Sequence, residues 1–411
     1  MRFNKQQWSW IFNDWANSGY GIIVTTAVLP LYFKTIAQDQ GVTAVNATAY
    51  WGYANSLGTL LIAIIAPFLG AIADYPGTKK HLLNFFSLIG IGATLALSLA
   101  PAQDWWELLV VYIISIIGYS GSNLFYDSFL PDVAVNQEMD RVSAAGYGFG
   151  YLGGVLSFLI FLTALLIPGE SGLNNSVTAR GSFILAAIWW LIFYLPFYKW
   201  GQQKYALTAV KHPFRSSLRR VWMTVKQVGN YRTIVWFLIA YFFYIDGVDT
   251  IFTMATSIGM DLGISMTTLM LVLLAVQVVA FPFSLVYGWL AQYWSTRKAI
   301  LLGIVIYLGI CLYILRLRTA TDFWILALLV GTSQGGIQAL SRSYFAQIIP
   351  KDNGSEFFGF YNILGKFSAI MGPILVGTIT QITGHSTVGA ASLSVLFLIG
   401  LVIFCFLPSL K

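Results

Sequence analysis

Apolar runs of about twenty residues recur along the whole chain, each closed by a short polar break, and each is long enough to cross a bilayer as a helix. Twelve are predicted, at about 8–34, 48–73, 81–101, 105–128, 141–168, 180–200, 233–257, 266–292, 298–316, 322–346, 356–381 and 387–408. We number them spans 1 to 12. The longest polar break, residues 201–232, carries Lys204, Lys211, Arg215, Arg219, Arg220, Lys226 and Arg232. It reads as a cytosolic linker between a first six-helix bundle, 1–200, and a second, 233–411.

Composition agrees with this pattern. Of the 411 residues 57% are hydrophobic and 9% charged, with a mean hydropathy of +0.73. A water-soluble domain has about a quarter of its residues charged, so the chain is an all-α polytopic membrane protein. Trp8, Trp10, Trp105 and Trp106 stand at predicted span ends, as interfacial aromatic belts do. The first run contains Asp14 and Asn17 and is too long for a cleavable signal, so it is expected to remain a span. Cys311 and Cys405 both fall within predicted spans, which speaks against a structural disulfide or a cysteine metal site.

The net charge of +7 is distributed unevenly. The N-terminus, the even-numbered loops and the C-terminus collect Arg2, Lys5, Lys79, Lys80, Arg141, Lys199, the linker residues, Arg297, Lys298, Arg342, Lys351 and Lys411. The opposite side holds only Lys34, Arg180, Arg316 and Arg318. This asymmetry predicts cytosolic termini and explains the basic balance without a nucleic-acid partner.

The chain also repeats itself. "GAIADYPGTKK" follows span 2 and "GWLAQYWSTRK" follows span 8, aligning Gly70 with Gly288, Asp74 with Gln292, and Lys79–Lys80 with Arg297–Lys298. Two related six-helix halves facing each other across a cavity are the expected arrangement.

The first copy resembles the signature loop of the major facilitator superfamily. In that family the loop's acidic and basic residues latch the halves together on the cytosolic side. The resemblance implies that role for Asp74, Lys79 and Lys80; the second copy departs at Gln292 and Ser295. "FNDWANSGY" in span 1, "DGVDTI" in span 7, "GGIQALSRSYFAQIIP" and "EFFGFYNILGKFSAIMGP" resemble the autophagy-related vacuolar-effluxer-like branch, whose eukaryotic members export amino acids from the vacuole. The compact length suggests a bacterial member, placed in the inner membrane.

Two patterns familiar from soluble enzymes are set aside. "GFGYLG", Gly148 to Gly153, has no strand before it, so it is not a dinucleotide turn. Its neighbourhood reads instead as a packing stripe of Gly146, Gly150 and Gly154. "GTSQG" around Ser333 lies inside a span, while His81, His212 and His385 all fall in loops or at span ends, so it is no nucleophile elbow. No cluster has metal-ligand spacing, and no cofactor is expected.

Asp246 and Asp249 of "YFFYIDGVDTIF" are the residues that most need explaining. A charge at mid-bilayer costs about 3 kcal/mol on insertion scales, and these two share one helical face. Aligning "NDWANSGY" with "IDGVDTIF" places Asp14 over Asp246, Asn17 over Asp249 and Ser18 over Thr250. Both halves therefore open on a helix with a polar face at one depth, as a midplane substrate site requires. Lys366 is the basic residue deep in a span, and Gln338 lies on span 10. Lys366 is expected within ion-pair or one-water reach of Asp246 or Asp249. Arg342 and Glu356 are expected to form a cytosolic gate or a solvated pair.

The expectation is alternating-access transport, with export, of a small polar solute such as an amino acid, with proton coupling open. Asp14, Asn17, Ser18, Asp246, Asp249, Gln338 and Lys366 are the binding or coupling candidates. Asp74, Lys79, Lys80, Arg297, Lys298, Arg342 and Glu356 are the gate candidates. A multidrug efflux pump is the alternative, weakened because span 4 lacks the basic motif of drug–proton antiporters. A sensor would need an output domain larger than residues 201–232, and an enzyme would need clustered catalytic groups. A monomer is expected.

Overall fold

The computed structural model describes residues 3–99, 104–165, 176–210 and 213–408. Twelve helices among them are long and apolar enough to cross a membrane. Spans 1 to 6 are Lys5–Asp39, Ala44–Ala73, Thr78–Leu97, Trp105–Ser128, Asn136–Thr163 and Val177–Trp200. Spans 7 to 12 are Gly229–Ala255, Thr268–Tyr293, Thr296–Ile314, Ala320–Ile348, Gly354–Thr383 and Ser386–Cys405. No strand occurs among the described residues.

Polar residues at the breaks explain where helices begin. The Asn4 side chain accepts from the Gln7 N–H while Gln7 reaches back, a capping box that starts span 1 before the apolar run does. Thr319 and Asp322 do the same for span 10, and Ser265 and Ser295 cap spans 8 and 9. Gly77, in the loop after span 2, sits at φ +74°, a left-handed conformation that favours glycine and turns the chain into span 3.

Three features depart from a plain reading of hydropathy. Span 1 contains a π-helical stretch, Gly21–Ala27, immediately beyond its polar face. Such widened turns recur at functional sites because they re-aim the side chains around them. Leu130–Val133 forms a short helix between spans 4 and 5 and carries the buried Asp132. The linker is not merely polar: Pro213–Lys226 is a helix.

The halves meet through spans 2 and 11 and through span 5 against spans 8 and 10. Approach is closest where glycines face backbone. A Cβ on Gly70 would lie 2.1 Å from the Ser355 carbonyl oxygen, and one on Gly359 2.5 Å from Pro67 Cα. The stripe of Gly146, Gly150 and Gly154 mainly faces span 1 of its own half. Its glycines abut Trp10, Asp14 with Ser18, and Ile22, while Arg342 and Gln277 reach its edges from the other half. The backbone approach of span 5 to span 8 runs along the neighbouring face, where Gly148 meets the Phe281 carbonyl and Gly288 meets Ala144.

Candidate functional site

At the end of the molecule that carries the linker, Asp74 leaves span 2 and caps the start of span 11. Its Oδ1 accepts from the Ser355 N–H at 2.8 Å and its Oδ2 from the Glu356 N–H at 3.2 Å. A carboxylate there satisfies orphan amides and meets the positive end of the helix dipole. Arg220 of the linker helix completes the latch, donating to Asp74 at 3.0 Å and to Glu356 at 2.6 Å. Burial pushes the Asp74 carboxyl up to about 7, against the pull of Lys79 and Arg220.

This assignment corrects several expectations about the gate. Lys79 turns into its own half, 2.7 Å from Asp132 and bonded to the Ser128 carbonyl. Lys80 is half-buried and Lys298 exposed, while Arg297 bonds the Cys405 carbonyl within its own half. Glu356 pairs with Arg220 rather than with Arg342. A second contact joins the halves nearby: buried Asp140 of span 5 accepts from Thr296, Gln347 and Ser343.

Arg342 instead reaches across into the first half. Its Nη1 lies 2.7 Å from Asp127 Oδ1, its Nη2 3.7 Å from Asp14 Oδ2, and its Nε donates to Ser143 Oγ at 3.0 Å. The guanidinium also lies 4.6 Å from the Trp10 ring centroid and 4.4 Å from that of Tyr147. The side chain is 2% exposed, so its charge depends wholly on these partners. Tyr126 donates to Asp14 at 3.1 Å, and Asn17 donates to Asn123 at 2.6 Å. Ser18 donates to the Asp14 carbonyl of its own helix.

In the second half the two aspartates of span 7 part company. Asp246 is fully buried, with its Oδ1 accepting from the Gly372 N–H at 2.9 Å and from Thr250 at 3.2 Å. Its face is turned to span 11. Asp249 is half-buried and accepts from Gln338 at 3.3 Å, and Gln338 in turn accepts from Tyr151 of the first half at 3.0 Å. Lys366 is exposed and lies within electrostatic reach of Asp249 and Asp127, which belong to opposite halves. Among the described residues no carboxylate comes within ion-pair distance of it.

Comparison with known proteins places this geometry in a family. Residues 3–411 match the profile described as "Vacuole effluxer Atg22 like". The chain belongs to that family. It is 48% identical over 409 residues to the MFS-type transporter YxiO of Bacillus subtilis (strain 168), covering 99% of this chain and 96% of that relative. It is 24% identical over 396 residues to Autophagy-related protein 22 of Eremothecium gossypii, covering 87% of this chain and 75% of the relative. The fold resembles the proton:xylose symporter XylE, with a TM-score of 0.76 at 12% identity over 99% of this chain and 96% of that one. It also resembles the human organic anion transporter MFSD10, with a TM-score of 0.73 at 13% identity over 98% and 100%.

The protein is therefore a major-facilitator transporter and not an enzyme. Within the Atg22-like frame, the central cluster combines expected residues (Asp14, Asn17, Asp249, Gln338, Lys366) with others that sequence reasoning passed over. Arg342 reads from sequence as a gate residue, and Asp127, Tyr126, Tyr147 and Tyr151 are not among the binding candidates. Arg220 read as one linker charge among seven. The available signal was the "SRSY" stretch of span 10, which places Arg342 only four residues from Gln338 and thus on the same face.

Proposed function

We propose that this Atg22-like protein moves a small zwitterionic solute, an amino acid or a close relative, outward across the membrane by alternating access. The observation that carries this reading is Lys366, an exposed ammonium with no carboxylate at ion-pair distance among the described residues, yet within electrostatic reach of Asp127 of one half and Asp249 of the other. A substrate carboxylate would meet Lys366, and a substrate ammonium would meet Asp249 or Asp127; such charge-assisted bonds are the strong ones. Because the two carboxylates belong to different halves, a solute held between them would be coupled to the relative position of those halves.

The state described here favours access from the end opposite the linker. The described bonds between halves fall between the linker end and the level of Tyr151 and Gln338. We take the linker end as cytosolic from the distribution of Lys and Arg, and the location as the bacterial inner membrane with the protein acting as a monomer. Asp14, Asp127 and Asp249 supply carboxylates for proton coupling, with Asp246 as a buried structural anchor for span 11.

A thermal-shift screen of the purified protein against amino acids tests the reading, since a ligand of the native state raises the melting temperature. At least one amino acid should raise it, and Lys366→Gln should abolish that rise. A shift produced equally in Lys366→Gln would remove the site from consideration.

A further inference from the structure

The linker helix, Pro213–Lys226, has three distinct faces, and the proposed transport site uses none of them. At roughly 100° per residue, Ser217, Arg220, Val221 and Thr224 fall on one side. Ser217 and Val221 are buried, and Arg220 is held by Asp74, Glu356 and the Ala71 carbonyl. Those bonds fix the roll of the helix. With that side turned inward, Phe214, Leu218, Trp222 and Val225 form an outward apolar strip, at 65%, 40%, 60% and 49% exposed. Beside it runs a basic strip of Arg215, Arg219 and Lys226, all exposed, with Lys226 lying 5.2 Å from the Trp222 ring centroid.

An apolar strip that includes a tryptophan and is flanked by a row of cations is the arrangement of a helix lying in the plane of a membrane surface. The surroundings support this. The helix packs on span 2 at the linker end of the spans. Next to its C-terminal turn opens a groove of about 250 Å³ between spans 7 and 11, lined by apolar side chains including Val225, Ile234, Leu238, Phe357 and Leu364. Arg232, exposed at the start of span 7, neighbours Tyr231 at the rim of this groove.

We propose that the linker helix and this groove form a binding site for anionic phospholipid of the leaflet at the linker end. Headgroup phosphates line up along Arg215, Arg219 and Lys226, which together extend over roughly 16 Å of helix, the apolar strip enters the acyl region, and an acyl chain occupies the groove between spans 7 and 11. Three cations facing one way demand an anionic headgroup rather than a zwitterionic one, and an apolar groove continuous with the lipid-facing surface demands a hydrocarbon occupant.

Two measurements test this. The full-length protein in mixed phosphatidylglycerol and phosphatidylcholine is examined by native mass spectrometry for the lipid it retains. The wild type should prefer phosphatidylglycerol, and the preference should fall roughly fivefold for each basic residue removed, about a hundredfold in Arg215→Gln/Arg219→Gln/Lys226→Gln. A charge-matched control, Lys204→Gln/Lys298→Gln/Lys351→Gln, should keep it. Equal loss in the control, or displacement of the lipid by inorganic phosphate, would overturn the proposal. Separately, nitroxides at Leu218 and Met223 on opposite faces report seating in phosphatidylglycerol vesicles without altering a charge. Oxygen should relax the Leu218 label and a nickel chelate the Met223 label. Equal nickel access at both would place the helix in water, as a docking face for a soluble partner, and would overturn the proposal too.

Discussion

Arg342 is tied to Asp127, Asp14, Ser143 and three aromatic rings, and every carboxylate partner comes from the opposite half. Removing one member of a buried ion pair leaves the other uncompensated, which costs about 3–5 kcal/mol. Arg342→Gln should therefore lower the melting temperature in detergent and abolish transport. Asp127→Asn added to it should recover part of the stability but none of the transport, and additive losses would mean the two groups are not coupled. Residue identity made some of this site legible and hid the rest. Asp14 and Asp249 stand out because hydrocarbon penalises them. Spacing puts Asp246 and Asp249 on one side of span 7, yet three residues along a helix leave about 60° between them. That angle turns Asp246 to the Gly372 amide and Asp249 to Gln338. Arg342 reads as a gate residue, but its pairing was hidden because its partners lie about two hundred residues away or more, and spacing along one helix carries no such information.

Spans 2 and 11 close against each other through Gly70 and Gly359, with Asp74 at the end of the contact. Gly70→Ala would drive a methyl into the Ser355 carbonyl, so the linker end should stay open. With Ser355→Cys as the reporter, in a background without Cys311 and Cys405, alkylation should rise in Gly70→Ala while folded yield holds. Unchanged alkylation would mean the glycine is not needed for closure. The latch also carries a pH dependence. Asp74 is raised to about 7 when closed, whereas a hydrated aspartate in the opened state titrates near about 4. Closure is then favoured by acid: the contribution is complete below about pH 4 and is lost as pH rises through the closed-state value. Lys79, Arg220 and Glu356 share this environment, and Asp74→Asn isolates its part. The ratio of reporter alkylation in the parent to that in Asp74→Asn, which cancels the rise in thiolate common to both, should increase from pH 5 to pH 8; a ratio that falls would contradict the assignment. The signature loop announced Asp74 from sequence. Its partner was less visible, because the second loop copy keeps its basic pair but turns Arg297 to the Cys405 carbonyl of its own half, while a linker helix supplies Arg220 from outside both copies.

Hydropathy alone delivered the twelve spans, since a bilayer allows few other solutions for an apolar chain of this length. It could not deliver the π-helical turn at Gly21–Ala27 or the faces of the linker helix, which are set by packing rather than by periodicity. Orientation is open to direct test. Single cysteines at Ser216 and Gln38 should label from opposite sides of intact cells, Ser216 only after the membrane is permeabilised; labelling of Ser216 by an impermeant reagent would invert the topology. The central claim is that a zwitterion held between Lys366 and carboxylates of both halves is carried across. Counterflow tests it most directly: proteoliposomes loaded with an unlabelled amino-acid mixture are exposed to the same mixture carrying tracer. The wild type should accumulate tracer above protein-free vesicles, with Lys366→Gln and Asp249→Asn at background. No accumulation by the wild type, or undiminished accumulation by Lys366→Gln, would contradict the account.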